Sequence, residues 1–193
     1  MSSRLFDHVM VSTDDTEIAE IAKKYGAEVP FFRSEATSGD FATTNDVLAE
    51  GLAEYEKRDM HFDVACCIYP TAPFVTAEKL KAAVEQLEAS DADTLIPAVS
   101  FSYPPQRAMV VEQERLVFKY PEYLDSRSQD LQPHYHDVGQ FYVFRTDRFA
   151  VNKKLMVGNI LPLIVSELEV QDIDNLTDWK IAEMKYRLMT EEK

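Results

Sequence analysis

Short apolar runs and amphipathic segments alternate along the first half of the chain. His8 to Ser12 (HVMVS) predicts a short strand. Thr16 to Tyr25 predicts a helix, with Asp14 or Asp15 as its N-cap and Gly26 as its C-terminal stop. Glu28 to Phe32 is again strand-like. Asn45 to Lys57 puts Val47, Leu48, Leu52 and Tyr55 on one helical face. Asp63 to Tyr69 (DVACCIY) is continuously apolar, the pattern of a strand covered on both faces. A helix from Ala77 to Ser90, begun after Thr76, and a strand from Thr94 to Ser100 complete the series. This rhythm predicts an α/β fold with a mostly parallel sheet and helices on both faces.

Around Ser102 the rhythm changes. Arg107 to Val111 and Leu116 to Tyr120 predict a hairpin joined through Glu112 to Arg115. A polar loop runs from Pro121 to Asp137, and Val138 to Phe144 is strand-like. An antiparallel insert of this kind, about 102–145, often forms a flap or a dimer contact. A last strand is predicted from Ile164 to Ile173, then a helix from Thr177 to about Met189. With no repeat or flexible linker in view, the expectation is a single domain over 1–193.

Composition narrows the partners. Apolar residues make up 46% of the 193, enough for a sizeable core, and the net charge is -14. A field of that sign repels nucleic acid and anionic membranes, so neither is expected as a partner. An acidic substrate would need local cations: a few placed Arg or Lys residues, or a divalent metal. The opening MSSRLFDH does not read as a signal peptide, and no apolar run has the length of a membrane span, which predicts a cytoplasmic protein. Cys66 and Cys67 are adjacent, so on a strand they point to opposite faces and suggest neither a disulfide nor a metal site.

Five groups of residues could carry chemistry. Ser12-Thr13-Asp14-Asp15 ends a strand and begins a helix, where open α/β sheets bind ligands; helix capping alone explains it as well. No GxGxxG or Walker-type lysine loop occurs. In Asp172-Ile173-Asp174, extended backbone would give both carboxylates one face, which suits magnesium; an acidic turn before a helix is the plain alternative. Arg127-Ser128-Gln129-Asp130, His134 to Asp137 and Gly139 to Tyr142 suit a carboxylate and hydroxyls better than zinc, since His134 and His136 lack further ligands. Arg33, with Asp40, Thr43 and Thr44 nearby, could clamp a phosphate, or be a lone surface arginine. Tyr69 to Phe74 (YPTAPF) is a stiff turn after the most apolar strand, fit to hold a substrate or simply to turn the chain.

Taken in order, these motifs resemble the sugar-acid cytidylyltransferases. LFDHVMVSTDD with TEIAEIAKKYGAEVPFFR is similar to that family's second strand and following helix. YPTAPF matches the place where the sialic enzymes have Gln-Pro-Thr-Ser-Pro, and Tyr69 in place of Gln is the pattern of the pseudaminic branch. SFSYPPQRAM, RSQDL, YHDVGQFY and VQDIDNLTDWKIAEMKY resemble that branch too, so the likeness covers nearly the whole chain. Pro70 departs from it, since Ala is usual there.

The resemblance implies a Rossmann-like fold of the nucleotide-diphospho-sugar transferase type and the transfer of CMP from CTP to a nine-carbon acidic sugar. Pseudaminic acid is the first choice; sialic or legionaminic acid are sister substrates. It implies that Asp172 and Asp174 are the catalytic carboxylates and hold Mg2+. Arg33 and Thr44 would line the CTP site, and Tyr69 would contact the sugar. By looser analogy, Arg127, His136 and Gln140 would lie in the sugar pocket. The insert would make contacts across a homodimer. Family members begin with a strand, a phosphate-gripping loop and a helix, roughly 30 or more residues, whereas Met1 to Arg4 matches the end of that helix. On this likeness, activity is expected of the complete family protein and little of a chain beginning at Met1. A truncated, non-catalytic dimeric binding remnant is the other reading.

Overall fold

A computed structural model describes residues 3–191. The chain divides into two compact units: the first takes 1–70, 75–96 and 140–161, the second 71–74, 97–139 and 162–193.

The first unit opens with a short parallel pairing in place of the two predicted strands. Glu28 donates its N–H to Val9 O (2.7 Å), Val11 donates to Glu28 O (2.9 Å), and Arg33 donates to Thr13 O (2.9 Å). Between them, α1 (Thr16–Lys24) starts where Asp15 accepts from Ile18 N–H, and buries Ala19 and Ala22. Of the two predicted N-caps, Asp15 is the one used. A one-turn helix, α2 (Glu35–Ser38), precedes α3 (Thr44–Glu56), which Thr43 and Asp46 close with a reciprocal capping box.

Three strands follow in this unit: β1 (Val64–Ile68), the first part of β2 (Thr94–Ser100), and β6 (Phe141–Arg145). β6 pairs antiparallel with β1, Ile68 opposite Phe141 and Val64 opposite Arg145, and antiparallel with β2 at Thr94 and Leu95. Since both neighbours oppose β6, β1 and β2 run parallel to each other, as a strand-helix-strand unit through α4 (Ala77–Glu88) requires. The α/β class is as predicted. The expected parallel ladder is replaced by antiparallel pairs, because a strand arriving after the insert takes the place between β1 and β2.

Phe141, Tyr142, Val143 and Phe144 are all 4% exposed or less, so β6 is the strand covered on both faces. β1 was expected in that role, but it stands at the end of the strand order, partly buried, with Ile68 exposed. Its partial burial still pushes the Cys66 thiol up to about 12 and Cys67 up to about 11, too high for a reactive thiolate at neutral pH. Tyr142 and Phe144 gather with Phe149 and Leu155 into a core completed by Leu48, Leu52 and Ile96. Phe149 belongs to α5 (Thr146–Asn152), a helix the apolar pattern did not predict. Arg145, at its N-cap, donates to the carbonyls of Leu87, Ser90 and Ala92 at 2.9–3.1 Å, closing the C-terminal end of α4.

In the second unit, the later part of β2 pairs antiparallel with β5 (Tyr135–Asp137), Val99 opposite His136. Its other neighbour is β7 (Ile160–Ile164), where Val165 donates to Ala98 O at 3.0 Å. The predicted hairpin forms as β3 (Met109–Glu112) and β4 (Arg115–Phe118), turning through Gln113 and Glu114 in the left-handed region. The strand predicted over Ile164 to Ile173 is a correction: the strand ends at Ile164. A 3-10 turn over Glu167–Glu169 replaces the rest, because Ser166 and Glu169 form a capping box. The last helix is α6 (Leu176–Glu191). Among the described residues, no helix is long and apolar enough to cross a membrane.

Candidate active site

In the first unit, two predicted groups become one. The Arg33 guanidinium donates from Nη2 to Ser12 O (2.9 Å) and from Nη1 to Thr37 O (3.4 Å), which fixes it against the Ser12-Thr13 turn. Its Nε is buried without a partner among the described residues, a free donor on a charged fork. Glu50, on α3, accepts from Ser34 N–H (3.0 Å) and from the Thr37 hydroxyl, so it holds both ends of the turn that follows Arg33. These bonds, that of Ser34 first, hold the Glu50 carboxyl below the usual glutamate range. Glu50 is a residue the sequence reading missed; a glutamate inside an amphipathic helix carries no motif.

Thr44 and Tyr69 come together. Thr44 is the first residue of α3, and its hydroxyl lies 2.8 Å from the Tyr69 hydroxyl. The Tyr69 ring stands edge-on to Tyr142, with centroids 5.5 Å apart. Its N–H donates to Gln140 O (2.9 Å), which continues the β1–β6 ladder by one residue. Gln140 is 2% exposed, so its visible contribution is to place Tyr69. A residue expected beside the nucleotide and one expected beside the sugar thus share a hydrogen bond.

The second unit holds the other four. Arg127 is exposed and makes a two-bond fork with Asp130, Nε to Oδ2 at 2.7 Å and Nη2 to Oδ1 at 3.1 Å. His136 lies on β5 with Nδ1 2.8 Å from Asp137 O, and since a carbonyl only accepts, Nδ1 is the donor. Its ring packs on Phe101 at 4.7 Å. Asp172 and Asp174 are exposed, with Gln171 and Ile173 half-buried, so exposure alternates as extended backbone requires. The Asp174 and Asn175 N–H groups both donate to Asp178, and Asn175 Oδ1 accepts from Thr177 and Asp178 at the start of α6.

Among the described residues, no group of three or more His, Cys, Asp or Glu side chains could hold a metal unaided. Two exposed carboxylates nevertheless fit Mg2+, which takes one or two of them and completes its shell with water and substrate phosphates.

The fold alone names no chemistry; the class of protein, a nucleotidyltransferase, is given by what the chain is similar to. The family model described as cytidylyltransferase matches residues 1–157, and the chain belongs to that family. A pseudaminic acid cytidylyltransferase of Campylobacter jejuni is 33% identical over 189 residues, covering 97% of this chain and 82% of that protein. A CMP-N,N'-diacetyllegionaminic acid synthase of Legionella pneumophila is 27% identical, covering 99% of this chain and 83% of its own. Among solved structures, a CMP:2-keto-3-deoxy-manno-octonic acid synthetase complexed with CTP has a TM-score of 0.62 at 14% identity, over 96% of this chain and 82% of that one. A 4-diphosphocytidyl-2C-methyl-D-erythritol synthase from Anaerococcus prevotii has a TM-score of 0.57 at 13% identity, over 97% and 84%. At such identities these two show the fold.

Glu50 gives a pH-dependent prediction. Its folded carboxyl titrates lower than its unfolded one, so its contribution is present above the usual glutamate range and is lost as pH falls through the lowered value. Glu50→Ala is expected to be less stable than the parent at pH 7 by urea denaturation. The gap should close as pH drops below about 4. A gap that stays constant with pH would mean that the carboxylate does not hold this turn.

Proposed function

We propose that this chain transfers CMP from CTP to a nine-carbon acidic sugar, pseudaminic acid, and releases pyrophosphate. The observation that carries this reading is the 33% identity, over 97% of the chain, to a pseudaminic acid cytidylyltransferase. In the reaction, the anomeric hydroxyl oxygen of the sugar bonds to the α-phosphorus of CTP. The bond from that phosphorus to the β-phosphate bridging oxygen breaks, and the hydroxyl proton passes to solvent. Asp172 and Asp174 would hold the Mg2+, which supplies charge neutralisation at the phosphates. Arg33 adds a fixed positive charge. Tyr69, held by Thr44, contacts the sugar, with Gln140 behind it. Arg127 and His136 serve the sugar's carboxylate and hydroxyls; the Arg127 fork already binds a carboxylate in two-bond geometry. A reaction that consumes CTP supports a cytoplasmic location.

We also propose a homodimer built on the β3–β4 hairpin. A two-stranded ribbon is marginal by itself. Here Met109, Val111, Leu116 and Val117 are all exposed, with Val111 directly opposite Leu116. Sedimentation should give a dimer mass that Val111→Asp lowers to a monomer; a parent that is already monomeric contradicts this assembly.

The activity test is pyrophosphate release from CTP with pseudaminic, legionaminic or sialic acid and Mg2+. It is run on this chain, and on this chain preceded by the N-terminal strand-loop-helix unit of a relative. Release is expected to be greatest with pseudaminic acid and to fall on the order of 100-fold or more in Asp174→Asn. Preference for another acid would reassign the substrate. No release by either form would leave the non-catalytic binding reading.

A further inference from the structure

Gln106 is buried to 6% exposure in a part of the second unit that is otherwise polar and open. It sits in a 3-10 turn, Pro105–Arg107, stiffened by Pro104 and Pro105. Its Nε2 donates to Gln132 O at 2.8 Å and lies 3.4 Å from His134 Nε2. Since a carbonyl only accepts, the first bond fixes which end of the amide faces the loop. The second amide proton then points at His134 Nε2, which acts as an acceptor, with the ring proton on Nδ1.

The neighbouring Arg107 donates from Nη1 to Ser128 Oγ at 3.3 Å. One short turn therefore holds the 127–137 segment at two points, Ser128 and Gln132. Arg127 precedes the first, and His136 follows the second. Phe101 donates to His134 O at 2.9 Å and carries the His136 ring at 4.7 Å, so a shift at His134 would reach His136 through the backbone and through Phe101.

The arrangement has a cost. Gln106 Oε1 is buried with no hydrogen-bond partner among the described residues. An unpaired buried carbonyl is unfavourable, and an apolar side chain of this size would avoid it. What glutamine supplies in exchange is the pair of donors aimed at Gln132 and His134.

We propose that Gln106 is a positioning residue: by tying Gln132 and His134 to the Pro104–Pro105 turn, it fixes the 127–137 segment and thereby sets affinity for the sugar acid. The proposal rests on the reading that Arg127 and His136 contact that acid. It assigns Gln106 no contact with substrate.

Two measurements test it, on Gln106→Leu and on Gln106→Met, which keeps the length and removes the donors. The first is amide exchange of the chain without substrate. The Phe101, Asp130 and Leu131 N–H groups are expected to exchange about tenfold faster in both variants, with the amides of β6 unchanged. The second uses the form of the protein that releases pyrophosphate. KM for the sugar acid should rise about tenfold while KM for CTP and the thermal midpoint stay near those of the parent. Should Gln106→Leu fail to fold, Gln106→Met decides. Unchanged exchange in a folded variant overturns the tether. Faster exchange with an unchanged sugar KM, or with both KM values and the midpoint shifting together, overturns the positioning role. A parent with no turnover contradicts the cytidylyltransferase reading instead, and the exchange result still decides the tether.

Discussion

The antiparallel ladder that Phe141–Arg145 makes with Val64–Ile68 and with the start of β2 is the interaction on which the rest of the first unit depends. Four consecutive side chains of β6 are buried, two on each face, and each contributes about 1.5–3 kcal/mol relative to exposure. Both ends of the strand do further work. At one end, Gln140 extends the ladder and receives the Tyr69 N–H, so the tyrosine beside Thr44 is placed by the register of the sheet. At the other end, Arg145 gathers carbonyls at and just beyond the end of α4 and stands at the N-cap of α5. A one-residue slip in this register would turn each of these side chains to the wrong face.

Much of this was legible from periodicity. The long amphipathic helices α1, α3 and α4 lie within a residue or two of their predicted bounds, because each has an apolar face and a polar N-cap that act locally. Strand order was not legible. Nothing in DVACCIY says that β1 ends the strand order, since an apolar run looks the same at the centre and at the end. Nor does QFYVFR say that it pairs antiparallel with a strand from before the insert. The apolar stretch after Ile164 misled for a different reason: Ser166 and Glu169 cap a tight turn, and a local hydrogen-bonding option outweighed the apolar pattern. The candidate site groups were singled out from residue types and spacing, and the resemblance then assigned their expected roles. Glu50 and Gln106, which tie down the turn after Arg33 and the loop at Gln132, bond to groups distant in sequence, which no motif encodes.

A chain of net charge -14 that handles CTP and a sugar acid must overcome its own field locally. In the first unit, the proposed reading relies on Arg33, which two backbone carbonyls hold and whose Nε is left unused among the described residues. In the second unit, it relies on Arg127, which forks onto Asp130, and on the exposed Asp172 and Asp174. Two carboxylates with no cation between them repel one another and would repel a triphosphate. Mg2+ held by Asp172 and Asp174 would neutralise them and supply charge to the phosphates. In this account, the acidic balance and the nucleotide substrate are reconciled by the metal.

The most direct test of that claim is calorimetric titration with CTP, in the presence and absence of Mg2+, on the parent chain and on Asp172→Asn/Asp174→Asn. The account predicts CTP binding that Mg2+ strengthens in the parent by about tenfold or more, and an enhancement that the double variant loses. CTP binding that is equally tight without Mg2+, or an enhancement that survives both substitutions, would contradict it.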